Sequence, residues 1–151
     1  MRSRFGKARI LHIILVTLVY SAIATSCSED GSNKQETSSL TQSNLNQLFQ
    51  TAIDLPKLQE FFHLEMESRK VLCITGEFLP DNLELNKNGQ PIKIVSSLTE
   101  CENCILFDIV KITNNKAQLV MVYEIEGVVC ELELQLQNGA WQVGTSTLTE
   151  H

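Results

Sequence analysis

The chain has 151 residues, 43% of them apolar, with 18 acids against 12 bases and a formal charge of −6 at neutral pH. Arg69-Lys70 is the only adjacent basic pair, so the positive patch that holds nucleic acid is missing and nucleic acid is excluded as a partner. Neither a Gly-rich phosphate loop nor a carboxylate-rich calcium loop occurs.

Arg2, Arg4, Lys7 and Arg9 precede an apolar run from Ile10 to Ile23, the order of charges and apolar residues found in a secretory signal. The run is shorter than the ~20 apolar residues that cross a bilayer and carries His12, so it predicts export and not a permanent span. Removal of residues 1–26 takes away those four bases and no acid, leaving eight bases against eighteen acids, a formal charge of −10.

Ala24-Thr25-Ser26-Cys27 resembles the lipobox of bacterial lipoproteins, in which small residues precede a cysteine that is acylated and becomes the first residue after cleavage. The resemblance implies lipidation at Cys27 and a membrane partner reached through the lipid anchor. Ser28-Glu29-Asp30 is similar to the acidic tag behind the lipidated cysteine of some surface-displayed lipoproteins. With Ser28 rather than Asp at the second mature position, the resemblance implies an outer-membrane location, extending to the cell surface. The alternative is an ordinary signal peptide with a chance cysteine and a periplasmic or secreted product. Residues 27–40 are rich in Ser, Asn, Gln, Glu and Thr, too polar to offset the entropy of ordering, and read as a tether. One domain is expected over 41–151.

In that domain Leu45, Leu48, Phe49, Ala52 and Ile53 recur at helical spacing behind the candidate caps Ser43 and Asn44, and predict a short amphipathic helix. Asp54 offers a second cap, Pro56 a first-turn proline, and Leu55, Leu58, Phe61 and Phe62 continue the apolar stripe. A strand is expected over 70–78, ended by Leu79-Pro80-Asp81-Asn82, and a short edge strand over 91–95. Four strands follow, over 105–113, 116–126, 128–137 and 140–149. They are joined by Asn114-Asn115, Glu126-Gly127 and Asn138-Gly139, whose residues accept the positive φ of tight hairpins.

Closing those hairpins places Tyr123 opposite Cys130, Met121 opposite Leu132 and Leu136 opposite Trp141. Leu119, Met121, Tyr123, Ile125, Val128, Cys130, Leu132, Leu134, Leu136, Trp141 and Val143 then share a core face, with Glu124, Glu126, Glu131, Glu133, Gln135 and Gln142 on a wet back. The strand over 105–113 is apolar in both parities, so its register stays open. The expected fold class is α+β, with short N-terminal helices packed on a curved antiparallel sheet in two layers that ends in a four-stranded meander. The order resembles cystatin-like and nuclear-transport-factor-like domains over residues 43–149, a resemblance of element order that carries no functional residue.

Curved sheets of this kind can host acid/base chemistry in their cone, which makes Tyr123 and Asp108 the candidate pocket residues. His63 reads as a helix-end residue. Cys101-Glu102-Asn103-Cys104 leads into a strand, and Glu100 and Glu102 raise thiol pKa values, so redox catalysis is disfavoured. With Cys27 acylated, four cysteines remain, and an exported chain favours their pairing. The simplest pairing joins Cys101 to Cys104 and Cys73 to Cys130, although strand parity turns Cys73 and Cys130 to opposite faces. A four-thiolate zinc site from the same residues would be incomplete, and neither metal nor cofactor is expected. The function expected is a lipid-anchored binding or interaction domain for a small apolar ligand or a protein. The alternative is a small enzyme using the cone or the Cys101/Cys104 pair.

Overall fold

The computed structural model describes residues 40–151. The leader over 1–26, Cys27 and all of the tether before Leu40 lie outside the described residues. Helices α1 (Gln42–Ile53) and α2 (Pro56–Gln59) are followed by strands β1 (Cys73–Thr75), β2 (Asn86–Lys87), β3 (Gln90–Pro91), β4 (Lys93–Ile94), β5 (Cys104–Thr113), β6 (Lys116–Tyr123), β7 (Val128–Gln137) and β8 (Ala140–Glu150). The fold is α+β: a six-stranded sheet in the order β4-β1-β5-β6-β7-β8, joined by the helical segment, with β2 and β3 as a separate hairpin. Among the described residues no helix is long and apolar enough to cross a membrane.

The sheet is mixed, which corrects the antiparallel expectation. β1 pairs in parallel with both β4 and β5. A parallel pair needs a long crossover, and residues 76–103 supply one. A strand between two parallel neighbours is covered on both faces, and all three residues of β1 are buried. The strand expected over 70–78 shrinks to these three residues. The one expected over 91–95 divides between β3 and β4, the latter at the sheet edge.

α1 begins at Gln42, two positions earlier than a Ser43 cap would start it, because the side chain of Thr41, not Ser43 or Asn44, accepts from Asn44 N at 3.2 Å. Its apolar face buries Leu48, Phe49, Ala52 and Ile53 completely. Asp54 ends α1 instead of opening α2, and Gln59 Nε2 donates to the carbonyls of Ile53 and Leu55 at 2.7 and 3.1 Å. The bond to Ile53 satisfies an acceptor that a helix end leaves open.

The meander follows from turn chemistry. Asn114 and Asn138 open their hairpins at φ near +50°, and Gly139 follows at +78°. Leu136 faces Trp141 as expected. Between β6 and β7 the pairing is Tyr123 with Val128 and Met121 with Cys130, two residues from the expected register. The cause is local: Glu124–Glu126 wind a 3-10 turn that ends on Gly127 at φ +63°. A Cβ on Gly127 would also meet the His151 carbonyl oxygen at 2.8 Å. A shift of two preserves parity, so the same side chains reach the core.

A bulge resolves β5. Phe107 pairs with Met121 but Ile109 pairs with Val120, leaving Asp108 unmatched and exposed. Parity reverses there. Ile105 and Phe107 enter the core before the bulge, and Val110 and Ile112 pack against it afterwards. Gly144 is a second such insertion, between the pairs Leu134–Val143 and Glu133–Thr145. The core joins Leu48, Phe49, Phe62, Ile74, Phe107, Leu119, Tyr123 and Trp141 into one cluster. Phe49 meets Phe107 and Phe62 meets Tyr123 edge-on, with centroids 5.2 and 5.7 Å apart. Of the expected core face, Val143 remains exposed and Leu136 and Ile125 are half-buried.

Candidate functional site

Three cysteines, Cys73, Cys101 and Cys104, converge on the corner where β1 meets β5. Parallel pairing sets Cys73 beside Cys104. Alternation along each strand sends Ile74 and Ile105 to the core and turns Cys73, Thr75 and Cys104 to the other face. The disulfide joins Cys73 to Cys101, 28 residues apart. Neither Cys101–Cys104 nor Cys73–Cys130 is the bridge. The second pairing fails for the parity reason, since Cys130 lies in the core and Cys73 does not. The first gives way because β1, paired with β5, brings Cys73 to this segment, where it takes Cys101 and leaves Cys104 free.

Cys104 and Cys130 are free and buried. Burial, reinforced by Glu100 and Glu124, pushes the Cys104 thiol up to about 11. Burial, with Glu131 adding and Lys57 opposing, does the same to Cys130, also to about 11. Both stay protonated at neutral pH, and a thiol that does not ionise is a poor nucleophile and a poor metal ligand. A four-thiolate site also loses two ligands to the bridge. Among the described residues, no three His, Cys, Asp or Glu side chains are grouped to hold a metal ion.

Beside the bridge lies a buried polar chain. Tyr123 Oη donates to Asn103 Oδ1 at 2.6 Å, Asn103 Nδ2 donates to the Arg69 carbonyl at 2.6 Å, and Cys73 N donates to the Asn103 carbonyl at 2.8 Å. Asn103 is 1% exposed and ties β1, β6 and the 3-10 turn over Glu67–Arg69 together. The Arg69 guanidinium pairs with Glu126, both side chains being largely covered. Burial lifts Tyr123 to about 12, with Arg69 pulling down and Glu126 pushing up. Its hydroxyl therefore stays protonated and engaged. Asp108 is apart from this chain, exposed at the β5 bulge. The two residues expected to share a pocket are thus divided, one in the core and one in solvent.

Sequence reasoning missed Asn103, the middle of a segment read only for its cysteines. It also missed the second face of α1. Gln42, Asn46 and Gln50 recur every four residues, a spacing that stacks side chains along one side of a helix. They hydrogen-bond the main chain of an extended segment at alternate positions. Gln42 Nε2 donates to the Asn82 carbonyl at 2.7 Å, Glu84 N to Asn46 Oδ1 at 3.2 Å, and Asn86 N to Gln50 Oε1 at 3.1 Å. Gln50 Nε2 returns a bond to the Asn86 carbonyl at 2.9 Å, and Lys87 Nζ reaches Asp54 at 2.7 Å. Leu83 and Leu85 alternate with these positions and enter the core. An open hollow of about 570 Å³ adjoins the ladder, walled by Gln47, Thr51, Leu55 and Val143 with Asn46 and Gln50.

His63 takes φ +47° in the irregular stretch three residues past Glu60, the right-handed C-cap of α2, so it is not the helix-end residue expected, and its Nδ1 lies 3.3 Å from Glu65. No family model, curated protein or solved structure matches the chain.

Proposed function

We propose that the chain is a lipid-anchored protein of the cell envelope, held at the outer membrane through Cys27, whose folded domain binds a protein partner and does not turn over a substrate. The observation that carries the reading is the Cys73–Cys101 bridge. Disulfides persist in exported proteins and are rare in the reducing cytosol, so the bridge agrees with the export leader from an independent part of the chain. Binding is favoured over catalysis because the candidate nucleophiles and acids of the domain are committed: two thiols to each other, two to burial, and Tyr123 to Asn103.

A protein is favoured over a small apolar ligand by the surface. The hollow beside α1 is open to solvent and its wall mixes amides with the carboxylates of Asp54 and Glu84 and the apolar Leu55, Pro56 and Val143, so it does not enclose an apolar ligand. On the back of the sheet, away from α1, Leu106, Ile109, Val120, Val122 and Val129 form a half-buried aliphatic band. The finer fold reading belongs here too: a curved sheet of the cystatin-like or nuclear-transport-factor-like kind, supported by α1 lying against β8.

Cys27→Ser tests the anchor. Acyl chains add ~0.8 kcal/mol per buried methylene, so two or three of them hold a protein to the bilayer effectively permanently. The variant is expected in the soluble fraction after a high-salt wash, with Cys73–Cys101 still found by non-reducing peptide mapping. Retention on membranes would sink the lipid anchor; a reduced Cys73 in exported wild-type protein would sink the argument from the bridge.

A further inference from the structure

The two ends of the sheet are finished in opposite ways. One edge is β4, two residues long, carrying Lys93 and preceded by Pro91. Short length, lysine and proline are the devices that keep a sheet edge from pairing with another chain. The other edge is β8, 11 residues long, and it has none of them. From Gly144 to Thr149 it carries no charge, in a chain whose acids outnumber its bases by six.

The unpaired groups on β8 can be assigned. His151 N donates to the Gly127 carbonyl at 2.8 Å, so the main chain at position 151 faces β7. Along an antiparallel strand the direction alternates, and Thr149, Thr147 and Thr145 face β7 as well. Ser146, Leu148 and Glu150 therefore present their N–H and C=O groups outward. α1 covers only the start of the strand, where Trp141 N donates to Gln47 Oε1 at 3.4 Å. Among the described residues nothing pairs with the outer edge beyond it.

We propose that β8 is an interaction edge whose occupant is the β8 of a second copy of this chain, added antiparallel about a two-fold axis at Thr147. Ser146 then faces Leu148, and their outward groups exchange main-chain hydrogen bonds twice over, once on each side of the axis. On the back of the sheet Thr147 meets its own copy and Thr145 meets Thr149; threonines opposite each other are favourable cross-strand pairs. Glu150 falls opposite Gly144, so no like charges are brought together. The Gly144 bulge ends the pairing before α1 would obstruct it. This pairing is independent of the lipid anchor.

The test uses cysteine cross-linking of the full chain in the cells that express it. Thr147→Cys, at an exposed site on the axis, is expected to give a covalent dimer under mild oxidation, whereas Thr145→Cys alone is not. Co-expressed Thr145→Cys and Thr149→Cys chains should cross-link to each other. Ser146→Pro removes one outward N–H and leaves the β7 ladder intact; added to Thr147→Cys it should lower the dimer about tenfold while Cys73–Cys101 still forms. Thr147→Lys, which sets like charges on the axis, should lower the dimer fraction in size-exclusion chromatography without any change of fold. Absence of the Thr147→Cys dimer, a dimer indifferent to Ser146→Pro and Thr147→Lys, or coupling to a different protein would each overturn the proposal.

Discussion

Two halves of the fold are held by different means. From Cys104 to Glu150 the strands run for 10, 8, 10 and 11 residues and each pairs with its neighbour in sequence. The main chain there supplies its own ladder. From Cys73 to Ile94 the strands have 3, 2, 2 and 2 residues, and side chains fasten them: the Cys73–Cys101 bridge, the three bonds of Asn103, and the amides of α1. One of the two glycines in this half also serves attachment, since a Cβ on Gly76 would strike the Phe107 carbonyl oxygen at 2.6 Å. A segment poor in regular structure can thus be part of a core, provided that specific side chains replace the missing ladder. The two halves should then fail differently.

The largest effect is expected from Trp141→Ala, which empties a buried site in the regular half. It should cost about 3–5 kcal/mol in denaturant unfolding and lower the melting temperature of the domain as a whole. A Trp141→Phe variant sharpens the point: the indole Nε1 has no hydrogen-bond partner among the described residues, so phenylalanine gives up volume without losing a bond.

Next comes the bridge. Reduction, or Cys101→Ser, frees a loop of 28 residues, which the chain-entropy model values at about 3.5 kcal/mol. Amide exchange should accelerate over 72–103 and change little in β6, β7 and β8. Uniform acceleration would erase the distinction between the halves.

Alkaline pH acts within the regular half. Cys104 and Cys130 ionise near 11 in the folded protein against an ordinary 9.0, so the unfolded chain releases their protons first. Their contribution is complete below pH 9 and is lost as pH rises from 9 toward 11, by about 1.4 kcal/mol per pH unit for each thiol. Cys104→Ala and Cys130→Ala, at the first strand of the regular half and deep within it, should each remove one share of that slope. A stability profile flat from pH 9 to 11 would contradict the burial of both.

The smallest effect belongs to the helix amides. Gln50→Ala deletes both bonds to Asn86 and should cost about 1 kcal/mol. A chemical-denaturation midpoint unchanged from wild type would mean that the 82–86 segment holds its place through Leu83 and Leu85 alone.

The halves also differed in legibility. Asn138-Gly139 and the alternation of Cys130, Leu132 and Leu134 with Glu131, Glu133 and Gln135 announce a hairpin and its inward face without reference to anything distant. Glu126-Gly127 looked like a two-residue turn because the 3-10 winding of Glu124–Glu126 leaves no mark on the apolar pattern. The register of β5 could not be read, since a bulge at Asp108 makes both parities correct, each for half of the strand. The partner of Cys73 was hidden for a longer-range reason: it depends on a parallel crossover, and sequence parity speaks only to neighbouring antiparallel strands. Asn103, Gln42, Asn46 and Gln50 were visible as residues, but their partners are main-chain atoms, which every residue offers alike.

The amide ladder on α1 also sets a limit on its own length. Four helical residues advance about 6.0 Å, while two extended residues advance about 6.6 Å. The two scales behave as a vernier, coinciding at one mark and drifting apart on either side. From Gln42 to Gln50 the mismatch grows to roughly 1.2 Å. The short side chain, Asn46, occupies the middle mark, and the longer glutamines reach across the widening offset at the ends. By Asp54 the reading has slipped beyond a main-chain contact, and Lys87 closes the gap with its own flexible stem. Shortening either glutamine to asparagine would take up slack that the geometry needs, and exchanging Asn46 for glutamine would add length where helix and segment are in step.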